Sequence, residues 1–320
     1  MTISTGISAT GKENVLIEAG GCSLSVLPSF GGKIASIFFG GHELLQAPLS
    51  PVAARTRSMS FDAADASGWD ECLPSVAACP VEVETGTAEI PDHGDLWRVP
   101  WTVLDQSDHS VTLSANCFSL PLTLKRKLTV SEMENGARLS LEYRLTNTGT
   151  VPAPWSWAAH PLFTAAVGDR IVLPDAVQTL RLEGSGGNRL GTTGDEIQWP
   201  IAQLADGSHT DLSAVGAPDS GIGDKLFAGP MHPDAAWCAL ERPSAGVRIR
   251  VSFNADSTPY SGLWICYGGW PEGPGPKQVC VALEPSTAPV DSLAHTGPWS
   301  RTLAPGAWSD WSMHVDFETL

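Results

Sequence analysis

Basic residues are scarce in this 320-residue chain: 19 lysines and arginines stand against 35 acids, a formal net charge of −16. So acidic a balance excludes the broad basic patch that nucleic acid or an anionic membrane surface requires. No run approaches the roughly 18 consecutive apolar residues of a spanning helix. The opening MTISTGISATGKENV has neither the cationic start nor the apolar core of a secretory leader. The seven cysteines are scattered and odd in number, and no CxxC, HxH, HExxH or GxxxxGK[ST] pattern occurs. These absences argue against a pre-organised metal centre and a phosphate-cradling loop, and no cofactor is expected. Buried free thiols in a reducing, cytoplasmic setting are the simplest account of the cysteines. Sustained helical periodicity is missing too. The 32 glycines and 25 prolines recur from end to end, with no internal repeat and no linker-like shift in composition.

What is present is a period of two. LTLKRKLTV (122–130) alternates Leu122, Leu124, Arg126, Leu128 and Val130 on one face, and ARLSLEYRL (137–145) alternates Leu139, Leu141, Tyr143 and Leu145. Asn135-Gly136 between them suits a tight turn that needs positive φ, so the pair reads as a hairpin. AWCAL and GVRIRVSF, split by ERPSA, give a second hairpin. Further strands are expected in NVLIEAG, KIASIFF, SVTLSANCF, GLWICYG and KQVCVALE. The Gly-rich GSGGNRLGTTGDE (184–196) reads as a long loop. The expected architecture is one all-β domain over 1–320, a large antiparallel sandwich with a broad concave face.

Three segments carry groups capable of proton chemistry. PDHGDLWRVPW (91–101) places His93 between Asp92 and Asp95, with Arg98 close behind. PWSWAAHPLF (154–163) sets His160 after two tryptophans. VCVALEPST (279–287) is an apolar strand ending in Glu284, and a carboxylate there is costly to leave without a partner or a task. Each has a plainer reading on its own: a polar turn for His93, a satisfied core histidine for His160, a strand-terminal acid for Glu284.

Taken in order, the three resemble the aldose 1-epimerase (galactose mutarotase-like) family, whose recurring features are an HG segment, an HPxF-type segment and a late strand ending in Glu. GGKIASI and GWDECLPSVAACP resemble earlier segments of the same family, so the resemblance runs from about residue 15 to 316. It implies a β-supersandwich with a site on its concave face and a small-molecule sugar as substrate. It also implies Glu284 as general base, His160 as general acid and His93 as a sugar ligand. Asp224 in GIGDKLF falls where the family tends to place an acid that binds sugar hydroxyls. Arg98 resembles the arginine of the hexose-6-phosphate epimerase branch, where HGxxR recurs. The asparagine–arginine pair of galactose mutarotases proper is absent: PSVAAC stands in its place, and Asp70 and Glu71 are acids just upstream. Asp70 thus becomes a further candidate sugar ligand, and the sugar need not be galactose or glucose.

The chemistry suits these groups. Opening a cyclic hemiacetal needs one group to take the anomeric hydroxyl proton and another to protonate the ring oxygen, which a carboxylate and an imidazolium do near neutrality. Trp69, Trp97, Trp155 and Trp157 lie near the motifs and would suit stacking on a sugar face. Competing readings are a non-catalytic carbohydrate-binding module, a hexose-6-phosphate 1-epimerase, a metal enzyme using His93, His160 and Glu284, and a glycosidase pairing Asp70 or Glu71 with Glu284. Either a monomer or a homodimer is compatible with the sequence.

Overall fold

A computed structural model describes residues 5–7, 13–62 and 64–320; residues 1–4, 8–12 and 63 lie outside the described residues. Alternation builds the strands. In Leu122–Met133 the residues Leu122, Leu124, Leu128 and Val130 are buried while Lys125, Lys127 and Ser131 face water. A repeat of two sends every apolar side chain to one face. Arg126 shares their parity and is fully buried, and its charge is met by Glu71 at 2.9 Å.

Gly136–Asn147 pairs antiparallel along the whole of that strand. The turn lies one residue earlier than the Asn135-Gly136 motif suggests: Met133 pairs with Gly136, leaving Glu134 and Asn135 as the loop. Gly136 is required for a different reason, since a Cβ there would lie 1.9 Å from the Phe317 carbonyl oxygen. The second hairpin forms as Trp237–Arg242 and Val247–Phe253, and all five further candidate segments contain strands. The 184–196 loop is shortened at both ends, by Thr179–Ser185 and Glu196–Gln198.

Two antiparallel sheets result. The twelve-stranded sheet runs Thr5–Ile7, Glu13–Ala19, Cys22–Leu27, Lys33–Phe39, Trp69–Cys72, Ala158–Thr164, Val279–Ser286, Tyr260–Tyr267, Ile222–Ala228, Thr179–Ser185 and Glu196–Gln198, with His42–Glu43 beside Lys33–Phe39. The eight-stranded sheet runs Arg170–Val172, Trp237–Arg242, Val247–Phe253, Trp308–Thr319, Gly136–Asn147, Leu122–Met133, Ser110–Asn116 and Thr102–Gln106. An apolar core containing Ile34, Phe163, Leu226, Leu263 and Leu283 from the first sheet and Leu128, Leu141, Ile249 and Val315 from the second joins their inner faces. Each such side chain contributes roughly 1.5–3 kcal/mol by leaving water. Among the described residues the only helical pieces are three-residue 3-10 turns, so none is long and apolar enough to cross a membrane. Six of the seven free cysteines are buried, as expected of structural thiols.

Parity also positions the site. On the central strands of the larger sheet, Trp69, Phe163, Leu283, Leu263 and Leu226 point into the core. The alternate residues, which include Asp70, His160, Glu284 and Lys225, occupy the opposite face.

Candidate active site

The strand ladder brings His160 and Glu284 together. Ala158 pairs with Ser286 and Leu162 with Ala282, a register that sets His160 opposite Glu284. On its other side Glu284 faces Gly262, and Lys225 lies one strand further, opposite Trp264. Gly262 puts no side chain in between, so the Lys225 ammonium reaches across and donates a hydrogen bond to Glu284 Oε2. A Cβ at position 262 would lie 3.2 Å from that oxygen. Glu284 is fully buried. Its Oε1 accepts no hydrogen bond from any described residue and stands 3.9 Å from His160 Nε2.

The HG dipeptide has a backbone explanation. His93 (φ +57°) and Gly94 (φ +68°) are both left-handed, an uncommon state for a non-glycine residue. A Cβ on Gly94 would lie 2.2 Å from the Leu73 carbonyl oxygen, so only glycine fits there. The His93 N–H donates to the Val76 carbonyl, and its Nδ1 is 2.8 Å from Asp92 Oδ2. The imidazole stacks on Phe61 with 3.7 Å between ring centres and meets His160 edge-on at 5.2 Å. Phe61 comes from the long connection 44–68.

A cavity of about 180 Å³ opens between these groups, lined by Phe61, Asp92, His93, His160, Lys225, Trp264, Trp270, Gln278 and Asp291 among others. Glu284 is not part of the lining but touches two residues that are, Lys225 through a hydrogen bond and His160 at 3.9 Å. The structure therefore brings His93, His160 and Glu284 together, although they are far apart in sequence. A roomier groove of about 690 Å³ lies on the eight-stranded sheet. Four of its charges pair among themselves, Arg144 with Asp310 at 2.7 Å and Lys127 near Glu142 at 3.8 Å, and among the described residues no histidine lines it.

Three expected sugar ligands do not line the cavity. Asp224 has the wrong parity: it is fully buried on the core-facing side of its strand, bound to Ser185 and Arg189. Its neighbour Lys225 takes the cleft-facing position. Arg98 turns away from any phosphate site. Its Nε donates to the Met59 carbonyl, and Nη1 donates to those of Asp92 and Gly94, tying the His93 loop to the connection that carries Phe61. Asp70 sits across the ladder from His160 but pairs with Lys33 at 2.5 Å, in a buried cluster with Asp65 and Arg55. Glu71 faces the core, so neither acid of GWDEC provides the second carboxylate of a glycosidase. Trp69, Trp97, Trp155 and Trp157 are all buried; the tryptophans at the cavity are Trp264 and Trp270.

Lys225, Asp291 and Phe61 escaped the sequence reading. Only Lys225 left a signal, because Leu226 and Ala228 mark the core parity of GIGDKLFA and exclude Asp224 from the other face.

Burial is the first cause of every perturbed titration here. It pushes Glu284 above the ordinary carboxylate range, opposed by the Lys225 charge and hydrogen bond. It pushes Asp291 up likewise, again against Lys225. His160 is held well below the usual imidazole range by burial and then by His93, Lys225 and Lys33. Burial works against the Lys225 charge, but Asp291 and Glu284 overcome it and raise the amine to about 12. Among the described residues no cluster of three or more His, Cys, Asp or Glu side chains is arranged to hold a metal ion.

Known proteins bear on this arrangement. A family model described as aldose 1-epimerase matches residues 78–315. The Slr1438 protein of Synechocystis sp. PCC 6803 is similar in structure, with 16% identity, TM-score 0.69, and coverage of 100% of this chain and 99% of that one. A galactose mutarotase-like protein of Clostridium acetobutylicum has 15% identity, TM-score 0.68, and coverage of 100% and 99%. The GalM/aldose epimerase homologue of C. elegans has 15% identity, TM-score 0.66, and coverage of 99% and 100%. At such identities the likeness is one of fold. No curated protein matches the chain.

Proposed function

Because the chain belongs to the aldose 1-epimerase family, we propose that it interconverts the α and β anomers of an aldose by acid–base ring opening. The observation that carries this reading is the free Glu284 Oε1, held 3.9 Å from Nε2 of His160, a residue of the cavity wall. Glu284 takes the proton of the anomeric hydroxyl, the bond from C1 to the ring oxygen breaks, and the ring oxygen takes a proton from His160. Rotation about C1–C2 and the reverse transfers close the ring on the other face. The two sugar oxygens share one carbon, so donor and acceptor must lie a few ångströms apart.

Proton count follows from the site's electrostatics. Carboxylate plus imidazolium and carboxylic acid plus neutral imidazole contain the same single proton, so the competent enzyme is the singly protonated pair. Glu284 titrates above its ordinary range and His160 below its own. The base is lost as pH falls through the Glu284 value, and the acid is lost as pH rises through the His160 value. The rate should therefore follow a narrow bell. The cavity of about 180 Å³ is smaller than the roughly 300–1,000 Å³ that holds a drug-sized ligand, which favours one sugar ring. With Arg98 consumed by backbone carbonyls and Asp92 and Asp291 on the wall, an unphosphorylated sugar is favoured.

Anomer-exchange NMR across neutral, acidic and phosphorylated sugars, repeated over pH, is the test. Accelerated exchange of a neutral aldose with a narrow bell is expected. Binding without acceleration across the whole panel would make the protein a carbohydrate-binding module instead.

A further inference from the structure

Lys225 is absent from the acid–base scheme above, yet its placement is specific. It extends over the gap at Gly262, hydrogen-bonds Glu284 Oε2, approaches Asp291 Oδ1 to 3.7 Å and lines the cavity. A buried carboxylate with no cation beside it takes up a proton rather than stay charged. Whatever fixes the charge of Glu284 therefore decides whether it can act as a base.

The titratable groups around Glu284 come from several elements. Lys225 is on Ile222–Ala228, His160 on Ala158–Thr164, His93 in its loop and Asp291 beyond Val279–Ser286. The thiols Cys72, Cys238 and Cys280 come from three strands. Burial raises all three thiols, keeping them uncharged, and Asp291 repels a second negative charge. Among the described residues, Lys225 is the group that both carries a positive charge and donates to the carboxylate.

We propose that Lys225 is a positioning residue that assigns the single proton of the Glu284–His160 pair to His160 and presents Glu284 Oε1 to the sugar. The ammonium touches Oε2, whereas His160 Nε2 stands beyond Oε1. Its field therefore disfavours a proton on the carboxylate more than one on the imidazole. No proton is gained or lost; one proton is placed on one of two atoms. The kinetic part rests on the epimerase reading, and the proton's location does not.

Carboxyl ¹³C and imidazole ¹⁵N NMR titration locates the proton, with Glu284→Gln and His160→Asn supplying the assignments. In wild type the singly protonated pair should be carboxylate plus imidazolium. In Lys225→Met it should be carboxylic acid plus neutral imidazole. With the charge gone, both limbs of the rate bell should move to higher pH. At neutral pH kcat should fall roughly 10–100-fold while KM changes less than about 3-fold. Lys225→Arg, which restores a positive donor, should recover most of the loss.

The same protonation pattern in wild type and Lys225→Met would overturn the proposal. So would a wild-type pair with its proton on Glu284, a result that needs no variant to fold. A wild type that exchanges no anomers while the proton moves as expected would end the epimerase reading and leave the Lys225 assignment standing. Exchange with an unmoved proton would do the reverse.

Discussion

Glu71 and Glu284 are both fully buried, on strands separated only by Ala158–Thr164, and burial pushes both carboxyls above the ordinary range. Their surroundings differ completely. Glu71 points between the sheets, where Oε1 accepts from Arg126 Nη1 and the Tyr143 hydroxyl at 2.9 Å each and Oε2 accepts from Trp157 Nε1 at 2.8 Å. Glu284 points away from the core with one oxygen held by Lys225 and the other free. A buried acid with both oxygens occupied holds a fold together. One that keeps an oxygen open beside a cavity keeps the capacity to take a proton.

The largest effect expected from this contrast is on turnover. Glu284→Gln should slow anomer exchange by about 10²–10⁴-fold, with little change in sugar affinity, as read by NMR exchange and by titration of the sugar. An unchanged rate would erase the distinction between the two acids. Glu71→Gln should do the opposite, costing about 3–5 kcal/mol in denaturant titration because Arg126 is left buried without its counter-ion. The molecules that remain folded should turn over within a few-fold of wild type. The smallest effect should come from Gly262→Ala. Its Cβ would lie 3.2 Å from Glu284 Oε2 and 3.1 Å from the Phe227 ring, a crowding that costs about 1–3 kcal/mol of stability. Pushing Glu284 off Lys225 should also lower kcat more than it raises KM. An alanine variant indistinguishable from wild type would mean the gap at 262 is not needed.

The sheets were legible because period-two alternation reports burial directly, as in Leu122–Met133. The three residues that the fold brings together were legible because their motifs are local: His93 with a glycine that nothing else can replace, His160 in HPLF, Glu284 at the end of an apolar strand. Asp224 and Arg98 misled for physical reasons. One residue of parity separates the cleft from the core, and Asp224 falls on the core side. An arginine in a polar loop can be consumed by backbone carbonyls as readily as by a ligand, and no pattern in DHGDLWR reveals which. Phe61 and Asp291 reach the cavity from irregular segments, where no periodicity fixes direction.

The distance between Glu284 and His160 is set by the hydrogen-bond ladder of two adjacent strands. Phe61, His93 and Trp270, by contrast, reach the cavity on connections. On the epimerase reading, reactivity and selectivity are thus stored in different materials, one in a rigid lattice and one in replaceable loops. On that reading a lineage, or an engineer, exchanges one sugar for another by rewriting 44–68 or 268–278 while the distance between Glu284 and His160 is inherited intact.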